Sequence, residues 1–235
     1  MKKILFSLVA LVCSMSMNAQ VMKVMKGNTV VAEYPAEQAD NVVFEAIPLG
    51  TAYAQRTGGI YVKCVQLWEN GPKFAEYNVG VTDGKAESYG GYYCWGKSAD
   101  MDYNNYKDGT DVLTGDDDTA IKLWGSKWRM PTKEELDALL ANCDVVWTDN
   151  YKESGVKGSV FTGKVAPYNS NSVFLPAAGQ CNGVNNVGFL SQGFYWSSTP
   201  DVSDKAQRLK FNSDGASVNS GDRRCGYFVR AVLVE

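Results

Sequence analysis

The chain is 235 residues long, with 23 basic and 26 acidic side chains, 45% hydrophobic residues and no histidine. Without imidazole there is no Ser-His-Asp or Cys-His nucleophile pair and no His-rich zinc site, so carboxylates, Lys, Tyr and Cys remain for chemistry. A net charge of −3 gives no general attraction to nucleic acid or anionic membranes.

Residues 1–19 read as an export signal: Lys2 and Lys3, then an apolar run over 4–12, then a more polar stretch ending at Ala19. The run is too short to span a bilayer, and no later stretch approaches about 18 continuous apolar residues, so no transmembrane segment is expected. Lipidation at Cys13 is the rival reading, and Val12 before it is a poor fit. Export places the protein in the periplasm, on the cell surface or outside the cell, where disulfides are permitted. Cleavage leaves Cys64, Cys94, Cys143, Cys181 and Cys225, an odd number with no CxxC spacing. Either two loop-closing disulfides with one buried thiol, or no disulfide, fits that count.

Residues 20–47 read as a short β unit, with Gly27-Asn28 between two apolar runs as a hairpin signal and a third strand at 41–46. Residues 48–59, loosened by Gly50, Gly58 and Gly59, read as a linker. From residue 60 to 235 the chain has the length of one domain. Strands are expected at 60–67 and 74–81, and a long polar surface loop at 97–114. Asp116, Asp117 and Asp118 precede a helix over 119–124 that Gly125 ends. Thr132 with Glu135 three residues later forms a capping box, and Leu136, Leu139, Leu140 and Cys143 mark one apolar helix face. Short strands separated by Gly and Asn turns follow, at 145–148, 158–162, 172–175, 193–197, 206–211 and 227–234. Helices before strands point to an α+β class.

Several segments carry a resemblance in order: Asn78-Val79-Gly80, Tyr89-Gly90-Gly91-Tyr92-Tyr93 with Trp95-Gly96, Trp128-Arg129-Met130-Pro131-Thr132-Lys133-Glu134-Glu135, Phe174-Leu175-Pro176-Ala177-Ala178-Gly179, Tyr195-Trp196-Ser197-Ser198-Thr199, and Tyr227-Phe228-Val229-Arg230. Together they resemble the FISUMP family, the major paralogous domain of secreted bacterial proteins, over residues 60–234. The resemblance implies a C-type-lectin-like fold of two helices, a small antiparallel sheet and long irregular loops, and it supplies no activity. Tyr77 stands where many relatives have Cys, whose partner would be Cys143. That leaves Cys64 with Cys94, and Cys181 with Cys225, as the implied disulfide pairs.

In such folds the segment at 195–224 lines an exposed face, and its aromatic, Ser, Asn and charged side chains suit recognition. The candidate ligand contacts are Trp196, Lys205, Gln207, Asn212, Asp214, Asn219, Asp222 and Arg223, with a glycan or a surface protein as partner; for Trp196 a place in the core is the rival and favoured reading. The aromatics Trp68, Tyr92, Tyr93, Trp95, Tyr103 and Tyr106 offer a second surface suited to sugar stacking, although most of them are expected to pack the domain. Asp111 with Asp116–Asp118 is oxygen-rich, but EF-hand and lectin Ca²⁺ spacings are missing, so helix capping is the favoured reading and no metal or cofactor is expected. The 128–135 segment is also similar to one in formylglycine-generating enzymes, but the cysteine pair those enzymes need is missing. The expected role is therefore a non-catalytic binding or adhesion module, with a structural component of a surface assembly as the alternative. Arg129 is expected to anchor the helix start, and Arg230 to be a buried structural group.

Overall fold

A computed structural model describes the backbone of residues 21–26 and 29–35, and residues 47–99, 105–183 and 185–234 in full. The segment expected to be an export signal, Cys13, the strand expected at 41–46 and Tyr103 lie outside the described residues. The chain divides into two units, residues 1–46 and 47–235. In the first, β1 (Val21–Lys26) and β2 (Thr29–Pro35) pair antiparallel from Lys26↔Thr29 to Val21↔Pro35, with a register shift between Val24 and Met25.

In the second unit, β3 (Thr51–Gln55), β4 (Tyr61–Gln66) and β5 (Lys73–Ala75) begin a five-stranded sheet. Residues 48–59, expected as a linker, thus carry a sheet strand, in register with β4 from Thr51↔Val65 to Gln55↔Tyr61. After α1 (Thr119–Trp124) come β6 (Trp128–Arg129), α2 (Lys133–Asn142), β7 (Cys143–Thr148), β8 (Gly158–Gly163) and β9 (Ser172–Pro176). Strands β7–β9 form a three-stranded sheet, and β10 (Gln180–Asn182) and β11 (Asn185–Val187) a small hairpin. Strands β12 (Gly193–Pro200), β13 (Lys205–Asn212) and β14 (Gly215–Asp222) form a second three-stranded sheet. The last strand, β15 (Val232–Leu233), joins β5 to β6 in the five-stranded sheet.

The α+β, C-type-lectin-like expectation is overturned by this architecture. Among the described residues there are fifteen strands in several small antiparallel sheets and α-helices of only six and ten residues, so the protein is β-rich. The helices exist where local caps begin them, and the rest of the chain turns too often to extend one.

Both caps are tied into the fold. Asp118, buried at the α1 N-terminus, accepts from the Ala120 and Ile121 N–H groups through Oδ1 and from Met130 N–H through Oδ2. It therefore clasps the strand after α1 as well as the helix. Burial raises its carboxyl above the usual range, against the lowering effect of those N–H groups and Arg129. At α2, Thr132 and Glu135 complete the capping box, and Arg129 grips both Glu135 carboxylate oxygens, at 2.7 and 2.5 Å.

Two hydrophobic cores flank β12. Phe194 and Trp196 belong to one, with Trp95, Trp124 and Trp128; Tyr195 belongs to the other, with Phe161, Leu209 and Phe211. Alternate side chains of a strand point to opposite faces, which is how one strand serves both. The segments that carried the resemblance converge on a buried guanidinium. Arg230 donates to Asn78 Oδ1, Ala75 O and Phe174 O, each at 2.9 Å. Asn78 Nδ2 in turn donates to Tyr89 O and to the Tyr195 hydroxyl, which donates to Pro176 O.

Candidate functional site

Strands β13 and β14 meet in an eight-pair ladder, from Lys205↔Asp222 to Asn212↔Gly215. Alternation divides the residues of β13. Leu209 and Phe211 point into one core, on the side that Lys205 and Gln207 share by parity. Arg208, Lys210 and Asn212 fall on the opposite side, facing Asn219, Ser217 and Gly215 across the ladder.

Arg208 is the centre of that second face. Its guanidinium lies 4.7 Å from the Phe194 ring and 4.8 Å from the Tyr227 ring, donates to the Tyr227 hydroxyl at 2.7 Å, and reaches Asn219 Oδ1 at 3.2 Å and Gln180 Oε1 at 3.4 Å. Desolvation lowers its pKa. Lys210 Nζ lies 5.7 Å from the same Phe194 ring and has no carboxylate partner among the described residues. Beyond it, Lys210, Asn212, Asp214, Ser217 and Asn219 border an open, shallow cavity of about 330 Å³ at the hairpin end. Asn212 Oδ1 accepts from the Asp214 and Gly215 N–H groups, which fixes the turn.

Strand β14 is the last strand of its sheet, and residues 215–221 have no backbone partner on their outer side among the described residues. Its sequence, GASVNSGD, is small and polar, the character of an exposed edge.

Of the eight expected contacts, Asn212, Asp214 and Asn219 are brought together here. Lys205 stands opposite Asp222, and Gln207 opposite Ser220, on the other side of the sheet. Asp222 is engaged by Arg224, through Nε at 3.0 Å and Nη2 at 2.6 Å, and this pairing holds its carboxyl below the usual range.

Trp196 and Arg223 are corrections, since both are 0% exposed. Trp196 donates from its indole to Tyr93 O at 2.8 Å and packs on Tyr227, so it is a core residue. Arg223 lies 4.2 Å over the Trp95 ring and donates to Lys205 O, Lys107 O and Gly109 O, pinning a loop to the sheet. The sequence reading missed Arg208 and Lys210, although the period-2 pattern that buries Leu209 and Phe211 puts both beside Asn212.

Neither implied disulfide is present. Cys64 Sγ donates to Ala52 O within the five-stranded sheet, whereas Cys94 Sγ donates to Arg224 O. Cys181 exchanges two backbone hydrogen bonds with Gly226 and turns its thiol to Gly183 O. Cys225 is buried in the core that holds Trp196 and Tyr227. In the acidic segment, Asp118 caps α1, Asp116 pairs with Lys122 at 2.9 Å and Asp117 with Lys107 at 2.7 Å. Among the described residues no group of three acidic, Cys or His side chains is placed to hold a metal. None of their helices is long and apolar enough to cross a membrane. Of the aromatics weighed as a second surface, Tyr93 and Trp95 are buried, Tyr92 is half-buried with its hydroxyl on Ala178 O, and Trp68 is half-buried.

In comparison with known proteins, residues 144–232 match a family described as a domain of unknown function, DUF8237. That stretch runs from β7 through β15 and includes the whole β13–β14 face. No curated protein and no solved structure matches the chain. Nothing in the match or in the described side chains indicates catalysis.

Proposed function

We propose that the chain is an exported, non-catalytic binding module of a bacterial envelope or surface, engaging a partner protein through the outer face and free edge of β13–β14. The observation that carries this reading is the row of Arg208, Lys210 and Asn212 facing Asn219 and Ser217 beside an unpaired edge strand. Fixed cations, adaptable amides and a line of free backbone groups suit an extended, acidic segment of a partner. The polar cavity at the hairpin end has no exposed aromatic wall, which favours a protein over a sugar at this face.

The test is an array of surface proteins and acidic peptides probed with the chain. Bound features should weaken at least tenfold for Lys210→Glu and with rising salt, and be unchanged for Lys127→Glu, an exposed cation outside the face. Uniform silence, or hits indifferent to Lys210→Glu, would overturn the reading.

A further inference from the structure

A second concave surface lies on another part of the same unit, along α2. It is organised by Trp68. The chain turns back on this residue, with Gly71 N–H donating to Trp68 O at 3.1 Å. A Cβ at Gly71 would stand 2.3 Å from the indole Cε2, so only glycine lets the backbone lie against the ring. Phe74 supports it further, with ring centroids 6.1 Å apart. The half-buried indole is thus held in one orientation before any ligand arrives.

Two cavities share that indole. One, of about 500 Å³, is bordered by Asn70, Arg129, Glu134 and Ala138; the other, of about 480 Å³, by Glu69, Asn142, Pro167 and Tyr168. Each falls within the range of small-ligand sites. Glu134, Ala138 and Asn142 are spaced four apart on α2, so one stripe of that helix runs past the indole through both cavities. The two cavities thus follow one helix face past the shared indole, with Trp68 and Tyr168 in their walls, and define the α2 groove.

The electrostatics narrow the ligand. Arg129 is neutralised by its double contact with Glu135. Glu134 and Glu69 have no ion-pair partner among the described residues, so the groove carries net negative charge and repels anions. What remains is an aromatic surface for apolar C–H groups, flanked by carboxylate and amide acceptors for hydroxyl donors. That pair of demands is met by a sugar ring, whose faces are apolar and whose rim is hydroxylated. We infer that the α2 groove binds a neutral oligosaccharide long enough to occupy both cavities, with Trp68 as its stacking platform. This site is separate from the β13–β14 face and does not depend on the reading given for it.

The experiment uses calorimetry and tryptophan fluorescence with cellohexaose, xylohexaose, mannohexaose and laminarihexaose, and with hexagalacturonate and hexalysine as charged comparators. At least one neutral hexasaccharide should bind and perturb the fluorescence. Trp68→Ala should weaken it at least tenfold, as should Ala138→Phe, which fills the groove from the helix surface. Glu134→Gln should weaken it severalfold, and Lys85→Glu, an exposed change outside both surfaces, should leave it unchanged. Circular dichroism identifies the variants that keep the native fold, and Glu134→Gln, an exposed change, guards against loss of the other two. Silence across the four neutral sugars, preference for either charged comparator, or binding that survives every folded groove variant would overturn the inference.

Discussion

Arg230 donates from Nε to Asn78 Oδ1 at 2.9 Å, across 152 residues of chain. The pair joins the last segment of the second unit to the stretch after β5. Its other two donors fix Ala75 and Phe174, so two distant segments, 75–78 and β9, share one guanidinium with no carboxylate among its hydrogen-bond partners. Desolvation lowers the Arg230 pKa to about 10, whereas burial of its neighbour Tyr195 pushes that phenol up to about 12.

Arg230→Met should leave Asn78 Oδ1 and two carbonyls buried without donors, costing roughly 3–5 kcal/mol. Urea unfolding should show a lower midpoint at unchanged slope. Arg230→Lys should recover only part of the loss, because one ammonium cannot reach in three planar directions.

Asp118→Asn should destabilise the second unit by about 1–3 kcal/mol. The amide retains one acceptor for the Ala120 and Ile121 N–H groups but turns an NH₂ toward Met130 N–H. The pH sign is also distinctive. Asp118 has a raised folded pKa, so its contribution to stability falls as pH rises through the usual carboxylate range near 4. Thermal melts of the wild type and Asp118→Asn between pH 3 and 7 should therefore converge or cross rather than run parallel.

Asp222 has the opposite sign. Hydrogen bonding to Arg224 lowers its folded pKa, so its contribution is present above about pH 4 and is lost as pH falls below that value. Because the pair is partly exposed, Asp222→Asn should cost no more than about 1 kcal/mol at pH 7, and the difference should shrink as pH falls below about 4.

Burial pushes the Cys64 thiol up to about 11 and the Cys143 thiol up to about 12. Iodoacetamide at pH 8 should leave both unmodified in the native protein and label both in urea, since the thiolate is the reactive species. Cys181, the most exposed of the described cysteines, should react first. Peptide mapping under non-reducing conditions checks the order and would also reveal any disulfide.

The helices were legible because their information is local. Thr132 with Glu135, and Asp118 before Thr119, act within four residues, and the capping interactions form as read. Strand β14 was not legible, since an open edge needs no apolar alternation and GASVNSGD shows none. Strand β3 was hidden by glycines that flank it rather than interrupt it. The site was half legible for a related reason. The polar surroundings of Arg223 suggested exposure and left Trp196 open between core and surface, yet Trp196 sits on a strand covered on both faces, and Arg223 meets three carbonyls and a tryptophan ring supplied from distant segments. No short-range pattern encodes either arrangement.

The position of β12 between two cores has a consequence for how this protein can diversify. Tyr195 and Trp196 are sequence neighbours committed to different interiors, so residues 193–198 of β12 leave no surface for substitution. The outer residues of β13 and β14, resting on that party wall, can change without disturbing either interior. Tolerance to substitution should therefore rise across the sheet, from near zero along the buried run 193–198 of β12 to its highest at exposed Ser217 of β14.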